Sequence, residues 1–195
     1  MRIPFWIPSL WIAASLLAWP GHIWLTILGY HGLCLIGSVQ PGIWKSGRSS
    51  RIGWIFAGLS LPLLAIPFVL SSLPGFPHAA IASVLSQWPG GLWGHAVYAL
   101  LVNVPVEEAY WRGTIARRYP NWSPLQHGAA FGLHHAVAAA IVLPWPWILP
   151  AFAGPAAAGA LWTWLARKSE GIAFPVLSHA IADFALILLV ARQLS

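Results

Sequence analysis

GIAFPVLSHAIADFALILLV, residues 171–190, decides the fold class of this chain. It holds one acid, Asp183, and no Lys or Arg, and about 20 predominantly apolar residues are enough for an α-helix to cross a bilayer. Similar stretches recur on its N-terminal side. Seven candidate spans lie at 3–20, 22–44, 52–73, 92–111, 125–143, 147–165 and 172–190. Over the 195 residues, 58% are hydrophobic and 7% charged, with a mean hydropathy of +0.71. A soluble domain carries roughly a quarter charged residues and is excluded. Fourteen Trp, 17 Pro and 18 Gly point the same way, since Trp gathers at bilayer interfaces and Gly and Pro are commoner in spanning helices.

No segment has the alternation of a barrel strand, and open sheets leave their backbone groups unsatisfied in lipid. The expected fold is therefore all-α, a polytopic transmembrane helical bundle of about seven spans, forming a single integral membrane domain over 1–195. Residues 74–91, PGFPHAAIASVLSQWPGG, are bracketed by Pro and Gly and moderately amphipathic. They read as a connector with a short interfacial helix; counted as a span, they give an eight-span alternative. The PWPW at 144–147 places Trp145 and Trp147 as anchors at the outer interface.

Ten Lys and Arg give a formal charge of +6, and they fall in short clusters between apolar runs, which argues for topology signals rather than nucleic-acid binding. Arg2 precedes the first span; Lys45, Arg48 and Arg51 follow the second; Arg112, Arg117 and Arg118 follow the fourth; Arg167 and Lys168 follow the sixth. Seven spans with a cytoplasmic N-terminus put all of these inside and leave Arg192 outside, as the positive-inside rule expects. The first segment ends in AWPGH without a small-x-small cleavage site, so it reads as a retained span rather than a signal peptide. One Cys, Cys34, excludes a disulfide framework and reads as core filler.

An acid or base at mid-bilayer costs about 2.5–3.5 kcal/mol even on the insertion scale, so membrane acids are functional candidates. Of four acids, Glu170 lies in the loop RKSEG, while Glu107, Glu108 and Asp183 lie in or at the ends of apolar runs. In LVNVPVEEAYWRGTIARRYP (101–120), Glu108 and Arg112 are four apart, with the acid first, the favourable order for a helical ion pair. Glu107 points about 100° away and is left for acid–base work. The plainer reading is that both carboxylates cap the cytoplasmic end of a span in headgroup water. In SPLQHGAAFGLHHAVAAAIVLP (123–144), His135 lies roughly 15 Å into its span, Phe131 is one turn earlier, and Gly128 with Gly132 forms a small-x-x-x-small stripe for close helix approach. His134 is rotated away, and each histidine alone reads equally as a neutral packing residue. His179 and Asp183 share a face of the last span. Glu107, His135 and His179 can thus meet in the cytoplasmic half of the membrane.

Together the three segments resemble the CPBP family of intramembrane proteases, which includes the type II CAAX prenyl endopeptidases and bacteriocin-processing, Abi-like proteins. Glu-Glu-x-x-x-Arg matches Glu107, Glu108 and Arg112; Phe-x-x-x-His matches Phe131 and His135; His-x-x-x-Asn/Asp matches His179 and Asp183. The resemblance covers about 95–190, with the motif-bearing core at 92–190. It implies a glutamic-type endopeptidase in which Glu107 and His135 activate water, His179 and the residue at 183 stabilise the oxyanion, and Glu108 with Arg112 holds the helix end. The substrate class it implies is a membrane-embedded or membrane-tethered peptide: a sorting or anchor segment, a leader peptide or a prenylated tail. The compact chain looks like a bacterial inner-membrane member. Asp183 stands where the best-described relatives have Asn, and an ionised Asp donates no hydrogen bond, so it must be protonated or orient His179.

The expected chemistry uses no cofactor. The runner-up is zinc held by Glu107, His135 and His179, a His-His-carboxylate set with one open position. A catalytically silent scaffold or immunity protein of the same fold is the other main alternative. No GxSxG and no membrane Asp pair are present for serine or aspartyl chemistry, and no related halves suggest a transporter. His22, His31, His78, His95 and His127 show no paired spacing for haem and read as interfacial or packing residues.

Overall fold

The structure is a computed structural model that describes residues 4–19, 22–38 and 65–194, together with Trp54 and Gly58. Arg2, Lys45, Arg48 and Arg51 and half of the candidate span 52–73 lie outside the described residues. Among the described residues the helices are α1 (Trp6–Ala18), α2 (Ile23–Ser38), α3 (Ala65–Ser71), α4 (His78–Ser86), α5 (Gly91–Tyr98), α6 (Val104–Glu108), α7 (Ala116–Arg118), α8 (Pro124–Val142), α9 (Ile148–Ser169) and α10 (Ala173–Leu194), with no strand. The fold is all-α. Among the described residues two helical stretches, Trp145–Ser169 and Ala173–Arg192, are long and apolar enough to cross a membrane, and α1 and α2 are apolar but shorter.

The stretch expected as one regular helix over 92–111 is helical but interrupted. Two π-helical segments, Ala99–Asn103 and Ala109–Ile115, flank the five-residue α6. Pro105 opens α6 and has no N–H to return to the preceding turn, which marks where the regular ladder gives way. Each π turn widens the helix and re-aims the residues after it, a device common at functional sites. Glu107 and Glu108 sit on the short α turn between them.

The tightest helix pair is α8 with α9. Its cause is the glycine stripe: a Cβ on Gly128 would run into the Ala156 carbonyl and Ala160, and one on Gly132 into the Phe152 carbonyl and Ala156. Backbones that close gain dispersion contacts that larger residues would forbid. α8 starts on a capping box, in which the Gln126 N–H donates to the Ser123 hydroxyl at 3.3 Å and the Ser123 N–H donates to the Gln126 side chain at 2.7 Å. Pro124 fills the first turn, where its missing N–H costs nothing.

Two groups of connecting residues meet at opposite ends of the helices. At one, the Trp147 indole donates to the Gly75 carbonyl at 2.9 Å and its ring meets Phe76 edge-on at 5.0 Å. At the other, Arg167 donates to the Trp122 carbonyl at 2.7 Å, and Phe5 packs edge-on against Trp122 at 5.4 Å. Between them lies the main core, where Ile12, Leu16, Tyr30 and Cys34 of α1 and α2 pack with Tyr110, Trp111, Phe131 and Trp162. Cys34 is completely buried there, as a small filler.

Candidate active site

The two carboxylates of α6 are buried, Glu107 4% and Glu108 0% exposed, so they are not headgroup caps. A buried charge is tolerated only with partners, because its lost hydration costs several kcal/mol. Glu108 has two: its Oε1 lies 3.2 Å from Arg112 Nη1 and accepts a 2.9 Å hydrogen bond from His179 Nδ1. The expected pair four residues apart is present, and it continues into the last helix. The Arg112 guanidinium lies over the Phe131 ring at 4.3 Å and the Trp162 ring at 5.0 Å, cation–π contacts that suit a desolvated arginine. Gly159 of α9 makes room, since a Cβ there would crowd Phe131 and Arg112.

Glu107 is held differently. Its Oε1 accepts a 2.8 Å hydrogen bond from the Tyr30 hydroxyl, which itself accepts from the Trp111 indole at 3.2 Å. Its Oε2 lies 3.9 Å from His179 Nε2 and has no hydrogen-bond partner among the described residues. His179 is stacked on Trp162, with centroids 4.2 Å apart and planes at 20°. With Nδ1 on Glu108, its Nε2 is left between Glu107 and Asp183, whose Oδ1 is 3.5 Å away. Asp183 Oδ2 accepts from the Asn103 amide at 3.2 Å. His179 therefore faces three carboxylates, an arrangement suited to a ring that donates from both nitrogens.

His135 touches none of these groups by hydrogen bond. Its Nδ1 donates to the Phe131 carbonyl at 3.0 Å, and the Phe131 ring lies 4.4 Å from it. A carbonyl only accepts, so Nδ1 carries a proton there. His135 shares with Glu107 and Asp183 a cavity of about 360 Å³. His134 does turn elsewhere: it stacks on Tyr30 at 4.4 Å and its Nδ1 is 3.1 Å from the Ser9 hydroxyl, yet it too reaches the cavity wall.

The cavity is not formed by the later candidate spans alone. Ile12 and Leu16 of α1, Ile27 and Tyr30 of α2, and Val84 and Leu85 of the connector helix α4 also line it. The reason is packing: α1 lies against α8, and α2 lies against both α6 and the π-helical stretch that follows it. The same packing brings His31, expected as an interfacial or packing residue, into the interior beside Glu107. It is 4% exposed, its Nε2 lies 3.9 Å from Glu107 Oε1, and its Nδ1 is 2.7 Å from the Tyr98 hydroxyl. Tyr30, Tyr98, Asn103 and Trp162 were likewise not singled out. Asn103 carried a signal, being a polar residue one turn before Glu107 in an apolar run; the others read as ordinary aromatics.

Among the described residues no group of three His, Cys, Asp or Glu is gathered closely enough to hold a metal ion. Comparison with curated proteins finds no match, and neither does comparison with solved structures. A family model described as type II CAAX prenyl endopeptidase Rce1-like matches residues 88–185, just over half of the chain. That segment runs from the connector through Glu107, Glu108, Arg112, Phe131, His135, His179 and Asp183, so the groups packed around the two carboxylates all fall within the match except Tyr30 and His31. On that match the chain belongs to the Rce1-like family of type II CAAX prenyl endopeptidases.

Proposed function

We propose that this protein is an intramembrane endopeptidase of glutamic type, hydrolysing a peptide bond of a membrane-associated peptide or protein. The observation that carries the reading is Glu107 Oε2: a buried carboxylate oxygen with no hydrogen-bond partner among the described residues, beside His179, on a cavity that His135 also lines. A water between Glu107 and His135 loses a proton to Glu107 as its oxygen attacks the scissile carbonyl. The oxyanion that forms takes hydrogen bonds from His179 and from the second N–H of the Asn103 amide, whose first is used on Asp183. Asp183 then acts by orienting these two donors. On collapse the C–N bond breaks and the proton held by Glu107 passes to the leaving amine. Glu108 and Arg112 hold His179 and the helix end.

The rest of the cavity is lined mostly by Ile, Leu, Val and Ala side chains, which suits an apolar segment next to the cut bond better than a polar loop. A membrane-tethered sorting, anchor or leader peptide fits this, and a prenylated tail does also. Seven spans with the N-terminus in the cytoplasm of a bacterial inner membrane remain our reading. It is supported by the contacts of 75–76 with Trp147 at one end and of Phe5, Trp122 and Arg167 at the other, which join segments that this topology puts on the same side.

The test is comparative mass spectrometry of membrane peptides from cells carrying the native protein or Glu107→Gln. A cleavage present with the first and lost with the second is expected, and it gives substrate and cut site together. Identical peptide sets, with an unchanged phenotype, would favour a scaffold of the same fold. Metal analysis of the purified protein addresses the zinc alternative: activity that survives chelation, without stoichiometric zinc, is the expected result.

A further inference from the structure

His31 is a buried titratable group that the mechanism above does not use, and it lies on α2, outside the residues the family model matches. Its surroundings are polar on two sides. Nδ1 is 2.7 Å from the Tyr98 hydroxyl, and Nε2 has no hydrogen-bond partner among the described residues but faces Glu107 Oε1 at 3.9 Å. A buried polar atom without a partner is destabilising, so its direction calls for an explanation. If the hydroxyl donates to Nδ1, the ring proton is on Nε2, and the N–H points at the carboxylate. Separations of this kind commonly tighten when substrate fills a site.

The two oxygens of Glu107 are therefore treated unequally. Oε1 has the Tyr30 hydroxyl at 2.8 Å and His31 Nε2 at 3.9 Å, both from α2. Oε2 has neither and faces His179. We propose that His31 is a positioning residue: it works with Tyr30 to hold Glu107 by Oε1, so that Oε2 is the oxygen presented to the reacting water. Tyr98 acts one step further back by fixing the imidazole. The idea rests on the reading of Glu107 as the base. It adds that the base is aimed by a helix carrying none of the three motifs.

The experiment uses the full-length protein in detergent or liposomes and, as probe, a synthetic peptide spanning the Glu107-dependent cut. Three variants are compared with the native chain: His31→Leu, His31→Gln and Tyr98→Phe. Misplacing a reacting group by about 1 Å costs about 100-fold, so His31→Leu is expected to lower kcat by roughly 30- to 100-fold with KM within about threefold. Gln keeps one amide N–H for Glu107 and one carbonyl for Tyr98, so it should recover kcat to within about fivefold of native. Tyr98→Phe removes only the rear contact and should cost about three- to tenfold. Thermal melting checks folding, and if His31→Leu does not fold, His31→Gln and Tyr98→Phe decide. Native kcat in His31→Leu, or a loss that Gln does not recover in a folded protein, would overturn the positioning role alone. Absence of any Glu107-dependent cut would overturn the protease reading and this inference with it.

Discussion

Residues 104–112 and the side chains of α2 packed near them, Tyr30, His31 and Cys34, lie in the interior around the same carboxylate, yet they are built on different terms. The first carries its chemistry in a recognisable pattern, two acids and an arginine, and its charges pair through Glu108, Arg112 and His179, although the Arg112 nitrogens and Glu108 Oε2 make no hydrogen bond among the described residues. The second carries no pattern and meets Glu107 only because α2 lies against α6. The difference separates two tasks. Supplying a reactive group needs particular residue types at a particular spacing, whereas holding it needs a hydrogen-bond donor at the right place, and any helix close enough can provide one.

Four substitutions probe that division. Glu107→Gln keeps the shape and removes the base; loss of product by about 1,000-fold or more is expected, read by the rate of peptide cleavage, and substantial residual turnover would mean the motif half does not carry the chemistry. Glu108→Gln leaves Arg112 buried without its anion. Breaking a buried pair from one side costs about 3–5 kcal/mol, so a drop in melting temperature should accompany reduced activity. Loss of activity alone would give Glu108 a role beyond support.

Tyr30→Phe tests the α2 side. It strips the donor from Glu107 Oε1 and the acceptor from the Trp111 indole, and unsatisfied buried groups cost about 1–3 kcal/mol. Chemical denaturation of the purified protein would measure the stability loss, and kcat should fall by less than it does in Glu107→Gln. An equal fall in kcat would erase the distinction between supplying and holding. Gly132→Ala is the mildest. Its new methyl meets the Phe152 carbonyl and Ala156, so overpacking of about 1–3 kcal/mol is expected, with KM and kcat nearly unchanged once the protein is folded. A selective change in kcat would show that the α8–α9 spacing sets the position of His135.

The helical class was legible because apolar length is a one-dimensional property, and so was the connector at 74–91, which contains the helix His78–Ser86. The glycine stripe was legible too, since residues four apart share a face whatever the neighbour. The same rule anticipated Glu108 with Arg112 and His179 with Asp183, pairs within one helix. The π-helical segments around α6 themselves were not legible, because facing arguments assume a regular 3.6-residue repeat that a π turn does not keep. The surroundings of His31 were not legible for another reason: a lone histidine in an apolar helix looks the same whether it packs against lipid, a ring or a carboxylate.

Taken by itself, the order of residues determined the helical class, the spacing of acids and histidines along each helix, and the family those motifs belong to. These are local properties, set by composition and by rise and rotation per residue. Only the tertiary structure decided that Glu108 bridges Arg112 and His179, that Asn103 meets Asp183 across 80 positions, and that Tyr30 and His31 reach Glu107 across more than 70. Such contacts depend on which helix lies beside which, and that is settled by how small residues, rings and buried charges pack across the whole bundle.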